Sequence, residues 1–233
     1  MATPAVAIDR PLRLGELLST AIRIYSGRGW AFAALGLLQA GTFVAAAVLP
    51  VLAAVALASL GFAAALAATS RLVLGDPFGE ALRRTVAAAP ILVVLALVVG
   101  VPFYLSSAWL ELLVFAVGWL GLTAFAIPAA MVEGSAASGR LGRLAGPLRR
   151  TLTLARAGYW HAVGVVAALV VIYLLVGVAL AAALFSFADN GRLAAVALSQ
   201  VVLAPFFFIG LTVLYFEQGA RAVESVSPPA ARG

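Results

Sequence analysis

Residues 29–70 carry no charge, an overwhelmingly apolar run of 42 positions. As one straight helix the run would reach about 63 Å at about 1.5 Å per residue, roughly twice the hydrocarbon thickness of a bilayer. It therefore has to fold back on itself. Pro50 stands at its middle in "AVLPVLA", and a proline both removes an amide donor and clashes with the preceding turn. A tight hairpin is expected there, between two helices of about twenty residues, the length that spans a membrane.

Further apolar runs cover residues 85–110, 112–132, 157–188 and 193–216. Together they predict six spans, at 30–49, 51–73, 89–107, 110–132, 161–187 and 193–217. Composition agrees: 64% of the chain is hydrophobic and 10% charged, with a mean hydropathy of +1.13. That is more apolar side chain than one soluble core of 233 residues can hide. The expected fold is all-α and polytopic: one integral membrane domain over 1–233, with 222–233 as a disordered tail. The chain has no cysteine, which excludes disulfides and thiolate metal sites. The opening segment scatters charges and lacks a signal-peptide run, so no cleaved leader is expected.

Six spans alternate the connections between two sides, and the charges divide accordingly. Arg10, Arg13, Arg23, Arg28, Arg71, Arg83, Arg84, Arg140, Arg143, Arg149, Arg150, Arg156, Arg221 and Arg232 fall on one side; only Arg192, near Asp189, falls on the other. Such asymmetry in short loops is the positive-inside pattern, so both termini are expected in the cytoplasm. The absence of lysine and the abundance of alanine match the codon bias of a high-GC bacterial genome, and the expected location is a bacterial inner membrane. The net charge of +6 then reflects topology. Anionic headgroups are the expected partner, and nucleic acid is not, because no aromatic residues interleave with the arginines in the manner of single-strand binders.

The arginine-rich side is patterned. Leu14, Leu17, Leu18, Ala21, Ile22 and Tyr25 recur at helical spacing before the first span; Asp76 and Pro77 suit the start of a helix carrying Leu82, Val86 and Ala89; Pro147 suits the start of a third, carrying Leu148, Leu152, Ala155 and Tyr159. Three interfacial amphipathic helices are predicted. "LLSTA", "ALRRT" and "PLRRT" put Leu18, Leu82 and Leu148 in register, 64 and 66 residues apart. This predicts three repeats of one interfacial helix plus one hairpin, over about 10–75, 76–140 and 141–221, related by a pseudo-threefold axis along the membrane normal.

Several segments, in this order, resemble the membrane domain associated with bacterial glycerophosphoryl diester phosphodiesterases. They are "LGELL" with "AIRIY", "LGDPFGEALRRT", "AIPAAMVEG", "PLRRTLTLARAGYW" and "PFFFIGLTVLYFEQGAR" at 205–221. The family's ending resembles Tyr-Tyr-Asp followed by two arginines two positions apart; here Tyr215, Phe216 and Glu217 fill the first three places, Gly219 replaces the first arginine and Arg221 keeps the second. The catalytic barrel of the phosphodiesterases has no counterpart in these residues. The resemblance accordingly implies a membrane module without hydrolase activity.

Chemistry is sparse. His161 is the single histidine, and the carboxylates are Asp9, Glu16, Asp76, Glu80, Glu111, Glu133, Asp189, Glu217 and Glu224. No metal-ligand spacing, phosphate-cradling loop or nucleophile–base set occurs, so no catalytic, metal or cofactor residue is expected. Glu217 and Arg221, one turn apart, are expected to pair, and Arg149, Arg150 and Arg156 are placed to meet Glu133. With Arg83, Arg84 and Trp160 these are the candidate structural or lipid contacts. Pro102, Pro128 and Pro205 interrupt three spans, and Gln39, Thr42, Ser199, Gln200 and Thr212 supply uncharged polarity within the membrane. The expected function is a non-catalytic scaffold that organises membrane or binds lipid, a protein partner or a second copy; the alternative is a small permease subunit for a lipid-like or small solute.

Overall fold

The described residues of a computed structural model, 8, 10–107, 110–133, 140–185 and 191–226, contain helices and no strand. In chain order the α-helices are α1 (Leu14–Gly27), α2 (Gly29–Ala46), α3 (Val51–Val73), α4 (Phe78–Ala87), α5 (Ala89–Leu95), α6 (Val101–Ser107), α7 (Leu113–Thr123), α8 (Ala126–Glu133), α9 (Arg140–Phe185) and α10 (Gly191–Val226). Pro50 separates α2 from α3 as its chemistry requires, in the position before the first helical turn where its missing amide breaks no bond. The two helices run antiparallel. Thr42 packs beside Gly61, and the Arg28 guanidinium donates to the carbonyls of Leu72, Gly75 and Asp76 beyond the other end of α3.

Five helical stretches are long and apolar enough to cross a membrane: α2, α3, Leu113–Glu133, Ala145–Ala183 and Ala197–Glu224. A sixth arises if α4 and residues 89–105 count as one span, bent by 73° between them. The protein is a multi-pass membrane protein.

The third expected span, 89–107, is broken close to Pro102, one of the three prolines read as interrupting the spans. A π-turn, Ala96–Gly100, separates α5 from α6. Its cause is Pro102, which cannot donate to the carbonyl of Val98. That carbonyl accepts instead from the indole N–H of Trp119, at 3.0 Å, so a side chain on α7 replaces a backbone donor where lipid offers none.

Pro205 frees a carbonyl in α10 in the same way, that of Val201. Here α2 closes in: a Cβ on Gly36 would lie 2.7 Å from Val201 Cα, and only a hydrogen fits between the two backbones. The contact joins α2 to α10. Helix α10 also packs on α1, α3 and α9 and is the most enclosed of the span-length helices, whereas α9 is the least. Polar side chains on α10 are thus shielded from lipid.

Two expectations about the short helices need correction. The third does not begin at Pro147; α9 runs through it from Arg140 and turns at Gly158 (φ −171°, ψ 51°). Proline's fixed φ is itself helical, so the helix runs on through it at the cost of a lost bond and a crowded preceding turn. The buried faces are also rotated from the expected stripes. Leu17, Thr20 and Ala21, then Ala81 and Thr85, then Thr151, Leu154 and Ala155 are buried, while Ile22, Val86 and Leu152 are exposed. Leu17 and Leu154 press into the bundle beside small residues such as Ala21, Ala81 and Ala155, and Ile22, Val86 and Leu152 are left at its margin. At the other terminus α10 continues to Val226, into the expected tail, carried by good helix formers such as Ala220, Ala222 and Glu224; residues 227–233 lie outside the described residues.

Candidate functional site

The ends of α3, α8 and α10 gather with α1, α4 and the first part of α9 at one end of the bundle, and the described arginines concentrate there. Two ion-pair clusters organise it. In the first, Glu133 at the end of α8 accepts from Arg150 Nε on α9 at 3.0 Å and from the Tyr215 hydroxyl on α10 at 2.6 Å. Two residues further along α10, Glu217 is fully buried. It pairs with Arg221, accepts from Gln218 Nε2 at 3.1 Å, and has His161 Nε2 at 3.5 Å. Gly158 packs against this cluster: a Cβ there would lie 2.9 Å from Gln218 Oε1.

The second cluster fixes α4. Arg71 at the end of α3 donates to Asp76 at 2.7 Å and to the carbonyl of Met131 at 3.2 Å, joining α3 to α8. Glu80 accepts from Arg83 at 2.8 Å and from Arg84 at 2.6 Å. Those two guanidiniums, Arg83 first, hold the Glu80 carboxyl down to about 2 from its ordinary value of 4.5. On α1, Glu16 is lowered by the backbone N–H of Arg13 and then by Arg10.

The expected partners of Glu133 thus separate. Arg150 reaches it, whereas Arg149 and Arg156 do not. Residues seven apart share a helix face, and Arg150 is turned about 100° from them, toward the bundle. Arg149 and Arg156 are exposed, as is Arg23 on α1, and none of the three has a side-chain partner among the described residues. Trp160 is exposed with its ring on Tyr159, centroids 5.3 Å apart. The Glu217–Arg221 pair forms as expected. The side chains of Arg140, Arg143 and Arg192, together with Asp9, Asp189 and Arg232, lie outside the described residues.

Sequence reasoning missed Tyr215, Gln218 and His161 as members of the charged cluster, and Arg28 and Arg71 as clamps. For Arg71 a signal existed: its spacing to Asp76 across a glycine turn. His161 carried none, because its nearest acidic neighbour, Glu217, lies 56 positions away in the chain, beyond any local spacing.

Among the described residues no three His, Cys, Asp or Glu side chains come together as metal ligands. What the arrangement offers is a rigid arginine-rich end with a few guanidiniums left over. No protein-family model, curated protein or solved structure matches the chain.

Proposed function

We propose that the protein is a non-catalytic module of a bacterial inner membrane that organises its surroundings by binding anionic headgroups at a cytoplasmic, arginine-rich end. The carrying observation is the division of labour among the arginines. Arg28, Arg71, Arg84, Arg150 and Arg221 are committed to carbonyls and carboxylates of the fold, whereas Arg23, Arg149 and Arg156 are exposed and partnerless among the described residues. Exposed Ile22, Leu152 and Trp160 accompany them on the same helices, and Trp30 on α2 and Val86 on α4 are exposed as well. Guanidiniums beside exposed apolar and indole side chains suit the headgroup layer, where phosphate and acyl chain meet. Their excess on this side supports a cytoplasmic location for it.

The short helices act as three equivalent elbows in this reading. Leu17, Ala81 and Pro147 are buried, Leu18, Leu82 and Leu148 half-buried, Ser19, Arg83 and Arg149 exposed, and Ala21, Thr85 and Thr151 buried again. Thr85 and Thr151 even bond the same carbonyl four residues back, each at 2.8 Å. Arg28 and Gly158, where the chain bends into a span, each lie ten residues past the aligned leucine. These correspondences support a threefold repeat of elbow and hairpin.

Reconstitution tests the reading. Phosphatidylglycerol is expected to raise the thermal unfolding temperature of the wild-type protein above that in phosphatidylcholine, and R23A/R149A/R156A is expected to lose most of the difference. An equal difference in the triple variant would refute headgroup binding at these arginines.

A further inference from the structure

Between the Pro50 turn and the middle of the bundle, a second polar cluster forms without any charge. Gln39 on α2 donates to the Tyr104 hydroxyl on α6 at 3.4 Å, and Gln200 on α10 donates to the Tyr173 hydroxyl on α9. A chain of ring contacts, Tyr104 to Phe62 to Phe208 to Phe207 to Tyr173, joins the two pairs, so four helices contribute to one region. Its floor is aromatic: Phe62 meets both Tyr104 and Phe208, at centroid distances of 6.2 and 5.4 Å, and Phe207 meets Tyr173. Along α3 and α10 this ring layer separates the cluster from the Ser70–Thr212 contact nearer the arginine-rich end.

Polar pairs that glue helices together account for the two amide–phenol bonds. They do not account for the carbonyl oxygen of Gln39. That residue is 1% exposed and its Oε1 has no hydrogen-bond partner among the described residues, a costly state at membrane depth. The other buried atoms in this condition, Thr69 Oγ1, His161 Nε2 and Gln218 Oε1, have local remedies. A hydroxyl rotor can turn to its own helix backbone, and the latter two sit beside the Glu217 carboxylate and Arg221 guanidinium. Gln39 has no charge beside it, and its amide cannot present both ends to Tyr104 at once.

We propose that this cluster is a binding site for a small uncharged hydroxyl-bearing molecule, water or a short alcohol, that bonds the free end of the Gln39 amide. The chemistry selects the class. A hydroxyl donates and accepts, so it satisfies the amide in either orientation. The aromatic floor suits C–H surface, and a charged ligand would find no counter-charge. The inference does not depend on how the arginine-rich end is used.

The natural absence of cysteine supplies the test. Single cysteines at Gln39, at Ser199, buried next to Gln200 on α10, at Ser70 beyond the ring layer, and at the lipid-facing Leu37 would be treated with 2-aminoethyl methanethiosulfonate in reconstituted protein. Q39C and S199C are expected to react about tenfold or more faster than S70C and L37C, because the reactive thiolate needs a polar, accessible environment. Slowing by ethylene glycol identifies an alcohol as occupant, and indifference to it identifies water. If Q39C fails to fold, the near-isosteric S199C decides. Rates at S199C no higher than at S70C in folded protein overturn the site.

Discussion

At one end of α10 the polar side chains are ionised and have ionised partners, Glu217 with Arg221, while Tyr215 holds the Glu133–Arg150 pair; about 26 Å back along the same helix they are neutral, Gln200 with Tyr173. The difference follows the medium. Near a headgroup layer a charge can be shared with water and phosphate, so the fold uses ion pairs to lock helix ends. Deeper in lipid an unneutralised charge costs several kcal/mol, and only amides and hydroxyls are used. The two regions also differ in completeness: the charged end has more donors than it consumes, and the neutral cluster has an acceptor it does not satisfy.

Mutations can break this comparison at graded strength. The largest loss is expected from Glu217→Ala, which strands Arg221 and His161; about 3 kcal/mol of stability should disappear, read as a lower melting temperature in detergent. Removing Arg221 as well should return part of it. Wild-type stability in the single variant would show that the charged end does not hold α10.

Next in size is Trp119→Phe, which deprives the Val98 carbonyl of its donor and should cost about 1–2 kcal/mol. The cost should shrink in a Pro102→Ala background, where a backbone amide is restored, and additive effects of the two changes would contradict the compensation. Smaller again, Arg150→Ala should cost about 1 kcal/mol, while Arg149→Ala and Arg156→Ala should stay within about 0.5 kcal/mol in neutral detergent. Equal effects at the three arginines would erase the distinction between clamping and free guanidiniums.

The smallest effect is a pH dependence of the α4 clamp. Glu80 has a folded value of about 2 against an ordinary 4.5, so its contribution is present above pH 4.5 and is lost as pH falls toward 2. Melting temperatures of the wild type and E80Q should therefore differ at pH 5 and converge near pH 2. A constant difference across that range would place the clamp elsewhere.

How far the sequence could be read follows from the same physics. Charge-free runs and Pro50 set the number and ends of the hydrophobic segments, because charge is what a bilayer excludes. Which face of each helix is buried was not legible, since lipid-facing and protein-facing positions are both apolar. Leu37 and Leu35 look alike in sequence, yet one is exposed and the other buried. The elbow faces were illegible for a related reason: residues of one expected apolar stripe divide between buried positions such as Leu17 and Ala155 and exposed ones such as Ile22, Val86 and Leu152. The Glu217–Arg221 pair was legible from one helical turn. The Glu133–Tyr215 bond and the Gln39–Tyr104 pair join residues 82 and 65 positions apart, beyond the reach of local spacing.

The account rests on the two ends of the bundle facing different media, with the partnerless arginines in the cytoplasm. Sidedness tests this most directly, using single cysteines in place of Arg149 and of Val48, which is exposed beside the Pro50 turn, and a membrane-impermeant maleimide on bacteria whose outer membrane has been permeabilised. Val48→Cys should label in cells with an intact inner membrane and Arg149→Cys only after that membrane is opened; labelling of Arg149→Cys in the intact cells, with Val48→Cys protected, would contradict the account.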